Sequence, residues 1–201
     1  MARNAQVESP TKEKLLDAAQ QLMLAKGFAA TSVDEICEAA GLTKGSFFHY
    51  FESKDELGKQ VLKRFCAQGA QLHASFCRQE ADPLKRVYNY IDGAIQMAKD
   101  PQMNKGCLLG LFAQELCDTN VEIRQACKKG FDDWGREFGE ELARAKARYA
   151  PKASFEPLEL ADHLIAVMEG SMIIGKSRRD MAVMAKNLEH FKAYVRGLFQ
   201  R

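Results

Sequence analysis

The spacing of apolar residues constrains this chain more than any other feature. Apolar residues recur at intervals of three and four through most of the sequence, and no segment alternates apolar and polar residues as a strand does. Side chains three and four apart share one face of a helix. With 201 residues, of which 46% are hydrophobic, the chain can bury the core of one large domain or two small ones. We therefore predict an all-α protein.

Helix start and stop signals divide the chain into segments. Ser32–Glu35 and Ser53–Glu56 each place a serine three residues before a glutamate, which is the pattern of a capping box. Pro10, Pro83 and Pro157 suit the first turn of a helix, where a backbone N–H has no intrahelical partner. After a tail to about residue 9, the predicted helices span about 10–26, 32–40, 44–50, 54–76, 83–99, 106–117, 121–148, 157–177 and 180–200.

Two short predicted helices, 32–40 and 44–50, flank a turn at Gly41. Two short helices joined by a tight turn containing glycine form a helix-turn-helix. The second helix of that motif enters the major groove of DNA, with its N-terminal end against the base edges. Residues 43–46, TKGS, form that end, and they are small, polar or cationic. The pattern indicates DNA binding and an ordinary turn between packed helices about equally, because the motif has a weak sequence signature.

Four of the eighteen aromatic residues lie in the last five positions of the stretch GLTKGSFFHYF. Phe47 and Phe51 are four apart and share a helical face, so we predict that they are buried anchors. The intervening Phe48, His49 and Tyr50 would then point outward, where they can contact sugar, phosphate or a thymine methyl group.

Net charge does not by itself select a DNA-binding protein. The chain has a formal charge of +2, and residues 1–65 contain nine basic and nine acidic side chains. The distribution is more favourable, because no acidic residue occurs between Glu38 and Glu52. Lys44 lies inside this interval and Lys54 follows it closely.

The segment GFAATSVDEICEAAGLTKGSFFHYFESKDEL, residues 27–57, resembles the N-terminal domain of TetR-type repressors. The family pattern is T-x-x-x-I-A-x-x-A-G-V-S-x-G-x-x-Y-x-Y-F-x-x-K-x-x-L. This chain departs from it at Phe48, where the family most often has tyrosine, and at Cys37, where alanine is usual. The residues that match are Thr31 or Ser32, Ile36, Ala40, Gly41, Leu42, Thr43, Gly45, His49, Tyr50, Phe51, Lys54 and Leu57.

The resemblance implies a transcriptional repressor with two domains. These are a three-helix DNA-binding domain, 10–56, and a larger C-terminal ligand-binding and dimerisation domain, 57–201. Members of the family bind a palindromic DNA operator as homodimers and release it when a small molecule binds. By position, the residues implied in DNA contact are Ser32, Thr43, Lys44, Gly45, Ser46, Phe48, His49, Tyr50 and Lys54.

The C-terminal half is implied to hold an effector pocket among the helices from 82 to 176. Aromatic and methionine side chains there suit an apolar ligand, although each is also typical of a helical core. The last two helices, 157–177 and 180–200, are implied to form the dimer interface. The candidate pocket residues are Met97, Cys107, Leu111, Phe112, Phe131, Trp134, Met168 and Met172.

Cys107 suggests a second kind of effector. It follows Lys105 near a predicted helix start, where the pKa of a thiol can fall. GCLLG followed by AQEL resembles a subset of TetR-type regulators that carry this same segment. Within the family, some members sense electrophiles or oxidants through a cysteine in this region. Lys176 would be a cationic neighbour if the fold brings the two together. An inert packed thiol is the alternative, so release by a small-molecule inducer and release by cysteine modification both remain open.

The sequence lacks the signals of other protein classes. It contains no glycine-rich phosphate loop, no H-E-x-x-H, no G-x-S-x-G and no metal-ligand spacing, so we expect no enzyme, cofactor or metal. The most apolar stretch, 164–175, contains Glu169 and is too short to span a bilayer. No signal-peptide pattern begins the chain, and we expect a cytoplasmic protein with free thiols. The remaining alternative function is a helical small-molecule-binding protein that does not bind DNA.

Overall fold

The computed structural model describes residues 9–100 and 105–199. Within these ranges all regular secondary structure is α-helical, which confirms the predicted fold class. None of the helices in the described part of the chain is long and apolar enough to cross a membrane. The helices are α1 (Pro10–Lys26), α2 (Val33–Ala40), α3 (Lys44–Tyr50), α4 (Lys54–Cys77), α5 (Pro83–Lys99), α6 (Leu108–Leu116), α7 (Val121–Tyr149), α8 (Pro157–Arg178) and α9 (Ala182–Phe199).

Local signals in the sequence set several helix ends. The Asp82 carboxylate accepts hydrogen bonds from two backbone N–H groups in the first turn of α5, each at 3.0 Å. Gly27 ends α1 with a φ of 92°, a conformation that glycine adopts without strain. Helix α6 begins at Leu108, two residues later than predicted, because Gly106 has a φ of 115°, outside the helical region.

The helices form two compact units. The first comprises the described residues up to Phe65 together with Leu108–Cys127, and the second comprises Cys66–Cys107 and the described residues from Lys128 onward. Helix α6 therefore belongs with the N-terminal helices. The predicted boundary after residue 56 divides the chain at a single point, so it places α6 in the C-terminal domain.

Phe112 of α6 lies in the core of the first unit. Its ring meets the edge of Phe28, in the turn between α1 and α2, with 5.3 Å between the ring centroids. Gly58 of α4 lies against the same rings, and a Cβ there would be 2.7 Å from Phe28. Burying a phenylalanine stabilises a fold by about 1.5–3 kcal/mol. This packing explains why α6 returns to the N-terminal helices.

The second unit buries one continuous apolar cluster with side chains from α4, α5, α7, α8 and α9. Its members include Ile91, Phe138 and Leu188. A charged pair lies beside it, since Arg86 of α5 donates to both carboxylate oxygens of Glu141 on α7, at 2.7 and 2.6 Å. This two-point geometry offsets the cost of removing the carboxylate from water.

Candidate nucleic-acid interface and effector region

Ser32 fixes the start of α2. Its hydroxyl accepts from the backbone N–H of Glu35 at 3.2 Å, and the Glu35 carboxylate accepts from the backbone N–H of Ser32 at 2.9 Å. This is the predicted capping box, and it is confirmed. The hydrogen bonds from Lys26 and Ser32 hold the pKa of Glu35 down at about 2. Helix α2 then ends at Gly41, whose φ of 65° is in the left-handed region.

Thr43 fixes the start of α3 in the same way. Its hydroxyl accepts from the backbone N–H of Ser46 at 3.2 Å, and the two hydroxyls lie 3.1 Å apart. The Ser46 hydroxyl can still accept a further hydrogen bond. Thr43, Lys44 and Gly45 are exposed, and a Cβ added at Gly45 would meet only the Thr43 hydroxyl, at 3.6 Å. The N-terminal end of α3 therefore offers open backbone and hydroxyl groups to a partner.

The aromatic side chains of α3 and its C-terminal end are divided between the core and the surface. Phe47 and Phe51 are 0% and 1% exposed, with ring centroids 5.6 Å apart, as buried anchors should be. Phe48 is 58% exposed and His49 is also exposed. Tyr50 differs from the outward prediction, because it is half-buried and its hydroxyl lies 2.8 Å from the Ser9 hydroxyl.

Lys44 has a partner that the sequence did not suggest. Its ammonium lies 2.8 Å from the carboxylate of Asp34 on α2. This pairing raises the pKa of Lys44. The interval without acidic residues in the sequence is therefore not free of acidic groups in space. No spacing rule would have found this contact, since it depends on how α2 crosses α3.

Lys54 has a structural role inside the first unit. Its ammonium donates to the backbone carbonyls of Phe28 and Thr31, at 3.0 and 2.9 Å. It also lies 4.4 Å from the centre of the Phe28 ring. A cation with these partners holds the turn before α2, and we therefore do not propose that Lys54 contacts DNA.

Glu115 of α6 holds the same turn from another helix. Its carboxylate accepts from the backbone N–H of Ala29 at 2.9 Å. Lys54 thus binds carbonyl groups of the turn while Glu115 binds an N–H group. Sequence reasoning missed Glu115, because nothing near it indicates that α6 packs beside residues 27–31.

The predicted effector residues fall into two groups. Leu111 and Phe112 lie in the first unit, where Phe112 is part of the core. The second unit contains Phe131 and Trp134, whose rings stack with 6.5 Å between centroids. The other candidates in that unit are Met97, Cys107, Met168 and Met172.

A buried polar chain lies beside Trp134. The indole N–H donates to the Tyr90 hydroxyl at 2.9 Å, and that hydroxyl lies 2.8 Å from Nδ1 of His73. Burial lowers the pKa of His73 to about 4 and raises the pKa of Tyr90. His73 is therefore neutral at pH 7, and a hydrogen bond joins its Nδ1 to the Tyr90 hydroxyl. Sequence reasoning singled out neither His73 nor Tyr90.

Cys107 lies in the second unit and is half-buried. Its thiol interacts with the carboxyl of Glu169 on α8. Burial raises the pKa of Glu169, and the hydrogen bond from Cys107 opposes that shift. The Oε1 atom of Glu169 is buried without a hydrogen-bond partner among the described residues. The cationic neighbour considered from the sequence, Lys176, is an exposed residue near the end of α8. The partner of Cys107 is instead the acidic Glu169.

An open groove of about 390 Å³ runs along α8 and α9. Most of the side chains that line the groove are apolar, and the polar ones include histidine and asparagine. The lining side chains of Ile174 and Tyr194 are 37% and 50% exposed. The lining residues are His163, Ala166, Val167, Gly170, Ser171, Ile174, Asn187, His190, Phe191 and Tyr194.

Two family models match the chain. Residues 15–61 match the model for bacterial regulatory proteins of the tetR family, and residues 83–191 match the tetracyclin repressor-like C-terminal domain. The chain belongs to the tetR family. It is a regulator and not an enzyme. In the part of the chain that the structure describes, no group of three or more His, Cys, Asp or Glu side chains could hold a metal ion.

Relatives of this tetR-family chain match it along most of its length. The transcriptional repressor NemR of Escherichia coli strain K12 is 28% identical over 193 residues, covering 96% of this chain and 97% of NemR. The transcriptional repressor DhaR of Mycobacterium sp. strain GP1 is 29% identical over 174 residues, covering 86% and 85%. The crystal structure of reduced E. coli NemR has a TM-score of 0.80 at 27% identity, covering 92% of this chain and 96% of that one. A regulatory protein TetR from Rhodobacter sphaeroides also gives 0.80, at 26% identity over 91% of this chain and 97% of its own.

Proposed function

We propose that the protein is a transcriptional repressor that binds a palindromic DNA operator as a homodimer. The exposed N-terminal end of α3, mounted on the buried Phe47 and Phe51, is the observation that carries this proposal. A helix start with exposed hydroxyl, cationic and backbone groups suits base edges and phosphates in the major groove. The names of NemR and DhaR as repressors support the direction of regulation.

The proposed DNA contacts follow from exposure. Thr43, Lys44, Gly45, Phe48 and His49 are exposed. They would contact bases or the backbone directly. Three further positions, half-buried or engaged in caps, would contribute at the edge of the surface; these are Ser32, Ser46 and Tyr50.

The α8–α9 groove supports the homodimer. Each protomer carries one α3 and can read only half of a palindrome, so two copies must be joined. A groove lined by Val167, Ile174, Phe191 and Tyr194 is the kind of apolar surface that a second copy would cover.

The effector would act on the second unit. Its candidate contacts are Met97, Phe131, Trp134, Met168 and Met172, whose apolar side chains suit an apolar molecule. Modification of Cys107 is the other route, because a half-buried thiol can still be reached by a small electrophile.

Selection of binding sites from random duplex DNA tests the proposed function. The selection is carried out with purified protein at one fixed salt concentration, because phosphate contacts make affinity salt-dependent. We expect enrichment of a palindrome and two protomers per duplex in sedimentation. Failure of the folded protein to enrich any sequence would overturn the proposal.

The two release routes are separated by a cysteine variant. Release of the selected operator by N-ethylmaleimide would be abolished in Cys107→Ser if thiol chemistry is the signal. Cys117→Ser, which changes another half-buried cysteine, is the matched control. Release by N-ethylmaleimide that persists in Cys107→Ser would exclude Cys107 as the site of the signal.

A further inference from the structure

An acidic side chain accompanies the one lysine of α3. The Lys44 ammonium and an Asp34 carboxylate oxygen are 2.8 Å apart, and the two side chains are 62% and 66% exposed. Asp34 is the second residue of α2, and Lys44 is the first residue of α3. The pair therefore stands at the exposed end of the surface proposed to face DNA.

Stability does not explain this pair. An ion pair between two exposed side chains contributes about 0–1 kcal/mol, because water screens both charges. A carboxylate at a DNA surface also repels phosphates, so Asp34 weakens general attraction to DNA. Its position in the first turn of α2 favours a negative charge, but that effect is equally small.

The pair presents donors and an acceptor side by side. An ammonium has three N–H donors, so Lys44 can keep one on Asp34 and direct another outward. The Asp34 carboxylate keeps lone pairs that the Lys44 contact does not use. A donor and an acceptor are thus held together by a hydrogen bond that already exists in the free protein.

A G·C base pair offers partners for both groups. In the major groove, guanine presents the acceptors O6 and N7, and its cytosine partner presents the N4 amino group as a donor. Lysine binds the guanine acceptors, and aspartate accepts from cytosine N4. Adenine also presents an acceptor beside a donor, N7 and the N6 amino group, but lysine most often contacts guanine and aspartate accepts from cytosine N4, so the pair favours G·C.

We propose that Asp34 and Lys44 together read one G·C base pair in each half of the operator. Lys44 donates to guanine O6 or N7, and Asp34 accepts from cytosine N4. Asp34 also offsets the charge of Lys44, which lowers binding to unrelated DNA. This inference rests on the proposed function, since it assigns a base preference to the surface that the operator would contact.

Variants of both residues test the inference. The operator selected by the wild-type protein is changed one base pair at a time, and binding is measured for wild type, Asp34→Ala and Lys44→Ala. We expect each variant to lose about tenfold of its preference for G·C at the same position in each half-site. On unrelated duplex DNA, Asp34→Ala should bind more tightly, with a salt dependence steeper by about one phosphate contact.

Glu38→Gln is the matched control. It removes the same charge from the exposed surface of α2 but leaves the Asp34–Lys44 contact in place. Its base profile should equal that of wild type. If Asp34 acts only on helix α2, Asp34→Ala would weaken all sequences equally and the position-specific loss would be absent.

The outcomes separate the two proposals. If Asp34→Ala keeps the base preferences of the wild-type protein, the proposal that Asp34 and Lys44 read a G·C pair is overturned. The same holds if the position sensitive to Lys44→Ala is an A·T pair, or if the two variants affect different positions. A wild-type protein that selects no operator would overturn the proposed function itself.

Discussion

The two units of the molecule differ in the reach of their polar contacts. In the first unit, Ser32 and Thr43 bind backbone groups three residues away, and these contacts define α2 and α3. In the second unit, Tyr90 binds His73 and Trp134, which are 17 and 44 residues away in sequence. Short-range contacts leave a motif in the sequence, whereas long-range contacts leave none. This is why the helix-turn-helix was predictable from the sequence and the buried polar chain was not.

The first unit also contains long-range polar contacts. Glu115 and Lys54 reach the turn before α2 across 86 and 26 residues. Asp34 reaches Lys44 between two helices. Each of these contacts depends on how helices cross, and each changes the expected role of a residue. The following predictions test how far the difference between local and long-range contacts extends.

The largest effect should come from the buried anchor of α3. Phe47→Ala should lower the free energy of unfolding of the first unit by about 3–5 kcal/mol, because the residue is 0% exposed and leaves a cavity. Circular dichroism during urea unfolding measures this. Phe48→Ala is the control, and its 58% exposed side chain should make its stability effect small. Equal losses in the two variants would contradict the division of the aromatic side chains.

Removal of the Tyr90 hydroxyl should have the next largest effect. Tyr90→Phe leaves the Trp134 N–H and His73 Nδ1 without their partner, which should cost about 2–3 kcal/mol. Trp134 is the single tryptophan, so its fluorescence reports unfolding of the second unit. Tyr88→Phe is the control, at a half-buried tyrosine of the same helix. An unchanged free energy of unfolding in Tyr90→Phe would mean that the polar chain adds nothing to stability.

His73 should make the stability of the second unit depend on pH. Its pKa is about 4 in the folded protein, against 6.5 in the unfolded chain, so the unfolded state binds more protons between these values. Stability should therefore fall as the pH is lowered from about 6.5 towards 4, by up to about 1.4 kcal/mol per pH unit. In urea unfolding at pH 7 and pH 5, His73→Phe should show a smaller change. An unaltered pH dependence would contradict burial as the cause.

The smallest effect should come from the cap of α2. Ser32→Ala removes the acceptor for the Glu35 backbone N–H and should cost about 1 kcal/mol. Ser32→Gly should cost only a few tenths of a kcal/mol, because glycine is tolerated at this position. Thermal unfolding followed by circular dichroism gives the comparison. Identical melting temperatures for wild type and Ser32→Ala would show that the capping box is dispensable.

The features that could be predicted from the sequence are those that depend on local contacts. The helix starts at Ser32, Thr43 and Asp82 were correct because each signal acts within three residues of its partner. The return of α6 to the first unit was missed because Phe112 reads as a generic apolar residue on a helical face. Its partner Phe28 is identified only by the three-dimensional packing.

The central claim is that the exposed N-terminal end of α3 contacts the operator. Operator binding by a variant of this surface tests it most directly. Fluorescence anisotropy at fixed salt compares wild type with Lys44→Ala combined with Phe48→Ala. Lys63→Ala, at an exposed lysine of α4, is the charge control. We predict at least about a hundredfold weaker operator binding for the double variant, with unchanged folding and sedimentation. Wild-type affinity in the folded double variant would contradict the assignment of this surface to DNA.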